Sequence, residues 1–507
     1  MSMTEAMIKG LLDILSWPAF GYMLIAVPLG LIFGCIPGLG GKMGLALLIP
    51  FTFGMDPVSG FALLLGMHAV VHTAGSVPAI LFDTPGTGPN AATCLDGFPM
   101  AQQGQAGRAL GAALMSSMVG GVIGGFCMIL MIPIVRPLVL SFGPPEFFML
   151  ACLGLTFIAL MSGDSLMKGL CSGGMGLIIS MVGMDPHTGV VRFAFDQLYL
   201  YEGIQLVTVV IGTFALASII EMFVKGGSIA HEAPVAASEA SGSGVWAGAK
   251  EALQHFGLIF RCSIIGNIIG MIPGLGGDTA AFITYGHAVQ TSKDKALFGK
   301  GNIEGIIAPD SAHNSKEAGT LIPTLAFGIP GSSGMAILFG GFLVLGVVPG
   351  IEMMTKNLSL VYSMAWTLVF ANIIAVIILL PFAVHLAKMT FIRTTLIIPF
   401  VMVFGTVGSF LTTGRIENII ITLGTGLLGY GMKVFNYPRA PLLLGIVLGK
   451  ISESNLTLSL DLYGPEFILR PISLVLLAAT IFVIFYPIYA KRRSLARGEV
   501  AHNGPMI

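Results

Sequence analysis

Pro37-Gly38-Leu39-Gly40-Gly41 returns as Pro273-Gly274-Leu275-Gly276-Gly277. An apolar run leads into each copy (Tyr22 to Ile36, Ser263 to Ile272) and a helix-compatible run leaves it (Met43 to Phe53, Thr279 to Val289). Proline followed by clustered glycine ends a helix, so each copy predicts a break inside an apolar segment, at about bilayer depth. A second marker follows in each half: Pro78, Phe82, Pro85 and Gly86, then Pro323, Phe327, Pro330 and Gly331 with the same internal spacing. The copies stand 236 positions apart at the first marker and 245 at the second, which places an insertion of nine residues around Lys293 to Gly301. Gly174 and Pro186 are echoed more weakly by Gly426 and Pro438. Three markers in one order predict one membrane unit written twice.

Water is not the main solvent of such a chain. Mean hydropathy is +0.90, with 55% hydrophobic and 10% charged residues, well outside soluble averages. Runs such as Ala109 to Ile134, Phe147 to Met161, Ile204 to Phe223, Leu358 to Leu386 and Ile472 to Tyr489 approach the roughly 20 residues that cross a bilayer. The expected fold is an all-α polytopic integral membrane protein with about twelve transmembrane segments, broken or re-entrant helices, and two structurally repeated halves. Most of the 68 glycines serve close helix packing, as in Gly120, Gly121, Gly124 and Gly125.

The expected organisation is a first repeat over residues 1–224, a polar linker over 225–255, a second repeat over 256–490, and a cytoplasmic tail over 491–507. Lys491, Arg492, Arg493 and Arg497 follow the last apolar run and assign that tail to the cytoplasm by the positive-inside rule. Lys293, Lys295 and Lys300 follow the second motif helix, whereas the matching loop Thr52 to Ser59 has no cation. Matching loops on opposite sides make the repeat inverted. Glu5, Lys9 and Asp13 dilute the positive region a signal peptide requires, so the first helix is expected to be retained.

Several function classes drop out. Zero net charge gives no basic surface for nucleic acid, and six scattered cysteines without a Cys-x-x-Cys pair give neither a zinc knuckle nor a disulfide framework. Gly40-Gly41-Lys42 lacks the upstream glycine and the Ser or Thr of a phosphate loop, since Met43 follows. Gly277-Asp278 has no second carboxylate at the matching Lys42, and His68 and His72 lack the Glu of a zinc protease between them. No enzyme is expected.

Helix breaks at membrane depth free N–H groups that favour anions and carbonyls that favour cations. Two breaks per half, with hydroxyls nearby, point to a transport site at the repeat interface; a passive channel explains paired breaks less well than alternating access does.

Pro37 to Gly41, Asp83-Thr84-Pro85-Gly86-Thr87, Leu95-Asp96-Gly97-Phe98-Pro99-Met100-Ala101, Phe298-Gly299-Lys300-Gly301, Glu304-Gly305, Ala308-Pro309 and Gly328-Ile329-Pro330-Gly331 together resemble the large membrane subunit of tripartite tricarboxylate transporters. The resemblance covers nearly the whole chain. It implies a bacterial inner-membrane importer of organic carboxylates, driven by an ion gradient, working with a small TctB-like membrane subunit and a periplasmic TctC-like solute-binding protein. The chain departs from that family's small, apolar or neutral residues near the motifs at Lys42, His68, His72, Asp83, Asp278, Lys316 and Glu317, which bears on the substrate. The runner-up is an ion-coupled carrier of another small anion or zwitterion without a binding protein.

The expected substrate contacts are N–H groups and hydroxyls of Thr84, Gly86, Thr87, Gly331, Ser332 and Ser333. The expected coupling-cation ligands are carbonyls and oxygens near Gly38, Gly40, Asp83, Gly274, Gly276 and Asp278. Free carbonyls favour sodium as the coupling ion, with protons on Asp83, Asp278 or the histidines as the other possibility, and no other cofactor is expected.

Overall fold

Six helices open the chain: α1 (Met3–Leu15), α2 (Ala19–Cys35), α3 (Gly40–Leu48), α4 (Pro57–Phe82), α5 (Asn90–Met100) and α6 (Ala106–Leu140). Six more follow in the second half in the same order: α7 (Gly242–Gln254), α8 (Phe256–Met271), α9 (Gly276–Thr291), α10 (Glu304–Phe327), α11 (Ser333–Val344) and α12 (Leu358–Ala387). This computed structural model describes residues 2–161, 166–185, 187–225, 242–273, 276–387 and 394–496. Among them the strands are limited to one short pair, Gly183–Met184 with Val191–Arg192.

The expected breaks are present. After α2 the chain passes through Gly38 at φ +88° and Gly40 at φ +59°, a region open to glycine at no steric cost, and α3 starts afresh. At the second marker α4 ends on Asp83 at φ 51° and α10 ends on Gly328 at φ 70°, two residues at the same repeat position. In both, the next N–H turns back to the marker proline's carbonyl: Thr84 to Pro78 at 3.4 Å, Ile329 to Pro323 at 3.3 Å.

Glycine contacts repeat atom for atom. In α2, a Cβ on Gly30 or Gly34 would strike the carbonyl of Met67 or Val71 on α4; in α8, one on Gly266 or Gly270 would strike that of Ala312 or Lys316 on α10. Each second-half residue here is the first-half residue carried forward by 236 on the motif helix and by 245 on its partner. Small residues let two backbones touch, which is how apolar helices associate without a hydrophobic driving force.

Across the halves, α6 packs on α10 through Gly120 against Ser311 and Gly124 against Ser315. Helix α7 packs on α6, where Arg108 grips Glu251 with two bonds of 2.6 and 2.5 Å. This helix lies in the stretch expected as linker; residues 226–241 of that stretch lie outside the described residues.

Four helices among the described residues are long and apolar enough to cross a bilayer, or up to seven when each sharply bent pair counts as one span. Fewer than twelve qualify because breaks divide several apolar runs into short helices, Ser333–Val344 among them. Two of the bent pairs, α1 with α2 at 68° and α7 with α8 at 75°, again match between the halves. Helix α4 is buried along its whole apolar window, so the centre of the molecule is where α4 and α10 face each other.

Candidate substrate and ion site

His68 and His72 are four residues apart and share one face of α4. Across from them α10 supplies His313, Lys316 and Glu317. His72 Nε2 lies 2.9 Å from Glu317 Oε1, His68 Nε2 lies 3.5 Å from Glu317 Oε2, and Lys316 Nζ lies 2.6 Å from Glu317 Oε1. The rings of His72 and His313 are 5.6 Å apart, centroid to centroid. All five side chains are buried, Glu317 to 1% exposure. Charges at such depth persist because they are paired; a lone one would be costly.

The 245-residue offset carries His68 onto His313 and His72 onto Glu317. The His72–Glu317 bond therefore joins a residue to its own counterpart. The remaining contacts mirror one another, His72 with His313 against Glu317 with His68. Matching positions of the two motif sets thus meet each other across the α4–α10 contact.

Helix starts surround this centre. A Cβ on Gly41, in the first turn of α3, would lie 2.7 Å from His68 Nδ1, and one on Gly334, in the first turn of α11, would lie 2.6 Å from His68 Nε2. One on Gly277, at the start of α9, would lie 2.7 Å from both Lys316 Cε and Pro89 Cγ, the latter just ahead of α5. Four helix N-termini thus converge on the buried histidines and lysine, and each brings partial positive charge.

A polar network extends the centre. Asn90 donates through Nδ2 to the His72 carbonyl at 2.9 Å and to Ser76 Oγ at 2.8 Å, and its Oδ1 accepts from the N–H and the hydroxyl of Thr87. Thr87 Oγ1 also lies 2.8 Å from His72 Nδ1. The Asp310 carboxylate, fully buried, accepts from Ser76, Thr93 (2.9 Å) and Ser117 (3.4 Å). Asn314 donates to Thr73 and Asn372, both at 2.6 Å.

Of the expected substrate contacts, Thr87 belongs to this network and Ser332 and Ser333 begin α11, with Ser332 capping it by accepting from Met335 N–H at 3.3 Å. The N–H groups of Gly86 and Gly331 are already used, donating to the Gly75 carbonyl and to Thr324 Oγ1, both at 3.2 Å. Glycine is required there by packing: Gly86 lies against Gly34 and Gly75, and Gly331 against Gly270 and Thr320. Thr84 donates to its neighbour's carbonyl, Phe82 O, at 3.0 Å.

Among the expected cation ligands, Asp83 is an exposed left-handed cap and Gly38 is exposed. Gly40 and Gly276 are the first residues of α3 and α9. Gly274 and the Asp278 side chain lie outside the described residues. Sequence reasoning missed Asn90, Asp310, His313 and Asn314; for His313 the signal available was the offset, which pairs it with His68, and the offset gives the other three no polar counterpart.

Residues 20–444 match the model of the tripartite tricarboxylate transporter TctA family. The chain belongs to the TctA family. It is also 30% identical over 476 residues, 93% of its length and 94% of the relative, to an uncharacterized 52.8 kDa protein in the TAR-I ttuC' 3' region of Agrobacterium vitis. A second protein of that organism, from the TAR-II ttuC' 3' region, is 30% identical over 232 residues, 45% of this chain and 96% of the relative. No solved structure matches the chain. As a TctA protein with long apolar helices it is a multi-pass membrane protein and a subunit of a tricarboxylate transporter.

Proposed function

We propose that this chain is the translocating subunit of a tripartite importer that moves an organic di- or tricarboxylate across the bacterial inner membrane, driven by a cation gradient. It works with a small membrane subunit and a periplasmic solute-binding protein. The two halves, 1–224 and 256–490 together with α7, are inverted copies that rock about the α4–α10 contact in alternating access.

The observation that carries this reading is the buried Lys316–Glu317–His72–His68 centre ringed by four helix starts. Fixed N-terminal dipoles and a lysine ammonium in a water-poor site favour a carboxylate and disfavour a neutral solute. A carboxylate entering the centre competes with Glu317 for Lys316, so loading the site rearranges the bond that joins the halves. Thr87, Ser332 and Ser333 lie at the starts of α5 and α11 and supply hydroxyls; Thr84, Gly86 and Gly331 support the breaks.

The test is reconstitution of the three components in liposomes and uptake of radiolabelled citrate, succinate and tartrate under sodium and proton gradients applied separately. Uptake of none of them under either gradient would remove the carboxylate reading.

A further inference from the structure

The hydrogen bonds around His72 leave its protons no freedom. The Asn90 group facing the His72 carbonyl must be the amide NH2, because a carbonyl only accepts. Asn90 Oδ1 therefore faces Thr87 and takes its hydroxyl proton. Thr87 Oγ1 is left as an acceptor toward His72 Nδ1, so Nδ1 carries a hydrogen. The other ring nitrogen, Nε2, is 2.9 Å from Glu317 Oε1, and that bond needs one proton of its own. The proton resides on nitrogen, as imidazolium and carboxylate, or on oxygen, as neutral imidazole and carboxylic acid.

We propose that His72 and Glu317 together bind one exchangeable proton, and that this proton is transported with the carboxylate. The inference rests on the carboxylate-import reading. Loading moves a proton into the Nε2–Oε1 bond and unloading returns it to water, with no other bond made or broken. Each proton bound raises the charge of the centre by one, which strengthens binding of an anion; by linkage, a bound anion strengthens proton binding equally.

The groups facing this pair, among the described residues, are consistent with that role. Lys316 and His68 touch Glu317, and the His313 ring lies tilted against that of His72 with Asp310 beyond it. Helices α5, α3, α9 and α11 contribute Asn90, Gly41, Gly277 and Gly334, none of them ionisable, and α6 and α12 contribute Ser117 and Asn372. Because the two residues are repeat counterparts on opposite halves, rocking of the halves parts or rejoins the bond that holds the proton.

The test is a pH titration of the purified full chain followed by difference infrared spectroscopy, with and without citrate as the probe anion. The expected result is one titrating step that is lost in both His72→Gln and Glu317→Gln, and a proton taken up on citrate addition by the parent chain alone. If either variant fails to fold, Thr87→Val serves instead, since it removes the acceptor of Nδ1–H together with one of the two donors to Asn90 Oδ1, leaves His72 and Glu317 in place, and is expected to move the step by about half a pH unit or more. A step unchanged by all three substitutions overturns the proposal. A step lost as expected in a chain that neither binds nor moves citrate upholds the proton site and counts against the carboxylate reading.

Discussion

Glu317 accepts a 2.9 Å bond from or offers one to His72, the residue that holds its own position in the other half of the chain. The bond is the point at which the repeat meets itself. Anything that changes it acts on both halves together.

Removing Lys316 leaves Glu317 buried beside two histidines without its closest cation. Lys316→Met is expected to cost about 3–5 kcal/mol of stability. Lys316→Met with Glu317→Leu is expected to recover much of that loss, because the double change leaves no lone charge. Thermal melts of the purified chain in a double-mutant cycle check this; additive losses would mean the two ions do not interact.

The glycines at the α2–α4 and α8–α10 contacts are expected to be equally intolerant. Gly34→Ala and Gly270→Ala drive a methyl into a backbone carbonyl of the facing helix, that of Val71 and that of Lys316 respectively, at about 1–3 kcal/mol apiece. Gly86→Val and Gly331→Val are expected to fail at folding for the same reason, so lost uptake in them says nothing of substrate. Yields and melting temperatures of the four variants are the measurement.

Asp96 explains why two separated motifs occur together. Its Oδ1 accepts from the N–H groups of Gly299, Gly301 and Asn302 at 2.8 to 2.9 Å, and its Oδ2 accepts from the Tyr285 hydroxyl at 2.9 Å. The carboxylate on α5 thus fastens the loop where the nine-residue insertion falls. Asp96→Ala is expected to cost about 3 kcal/mol or more, as bonds to a charged group are strong. Hydrogen exchange at those three amides is expected to rise about tenfold or more; unchanged exchange would show the loop held by other contacts.

The repeat was legible because proline and glycine act locally. The proline–glycine clusters Pro37 to Gly41 and Pro85-Gly86 end or follow a helix locally, and both offsets can be read by counting. The buried centre was only half legible. His68, His72, Lys316 and Glu317 stood out as ionisable groups in apolar surroundings, yet nothing local said that α4 and α10 touch. Asp310, Ser76 and Thr93 were hidden more deeply, since their bonds span 234 positions between Ser76 and Asp310 and 217 between Thr93 and Asp310. Gly86 and Gly331 are ambiguous in sequence for a physical reason: a glycine that admits a ligand and one that admits a neighbouring backbone look alike. Asp83 is ambiguous in the same way, because Asp tolerates the left-handed conformation that Gly328 fills in the second copy.

The central claim is that the α4–α10 centre binds a carboxylate by means of Lys316. Its most direct test is uptake of radiolabelled citrate, succinate and tartrate by liposomes holding the three-component system, comparing the parent chain with Lys316→Gln at matched reconstitution. The account predicts uptake of at least one of the three by the parent and a loss of about a hundredfold in the variant, the scale of a buried charge pair removed from the bound state. Uptake by Lys316→Gln equal to that of the parent would contradict it.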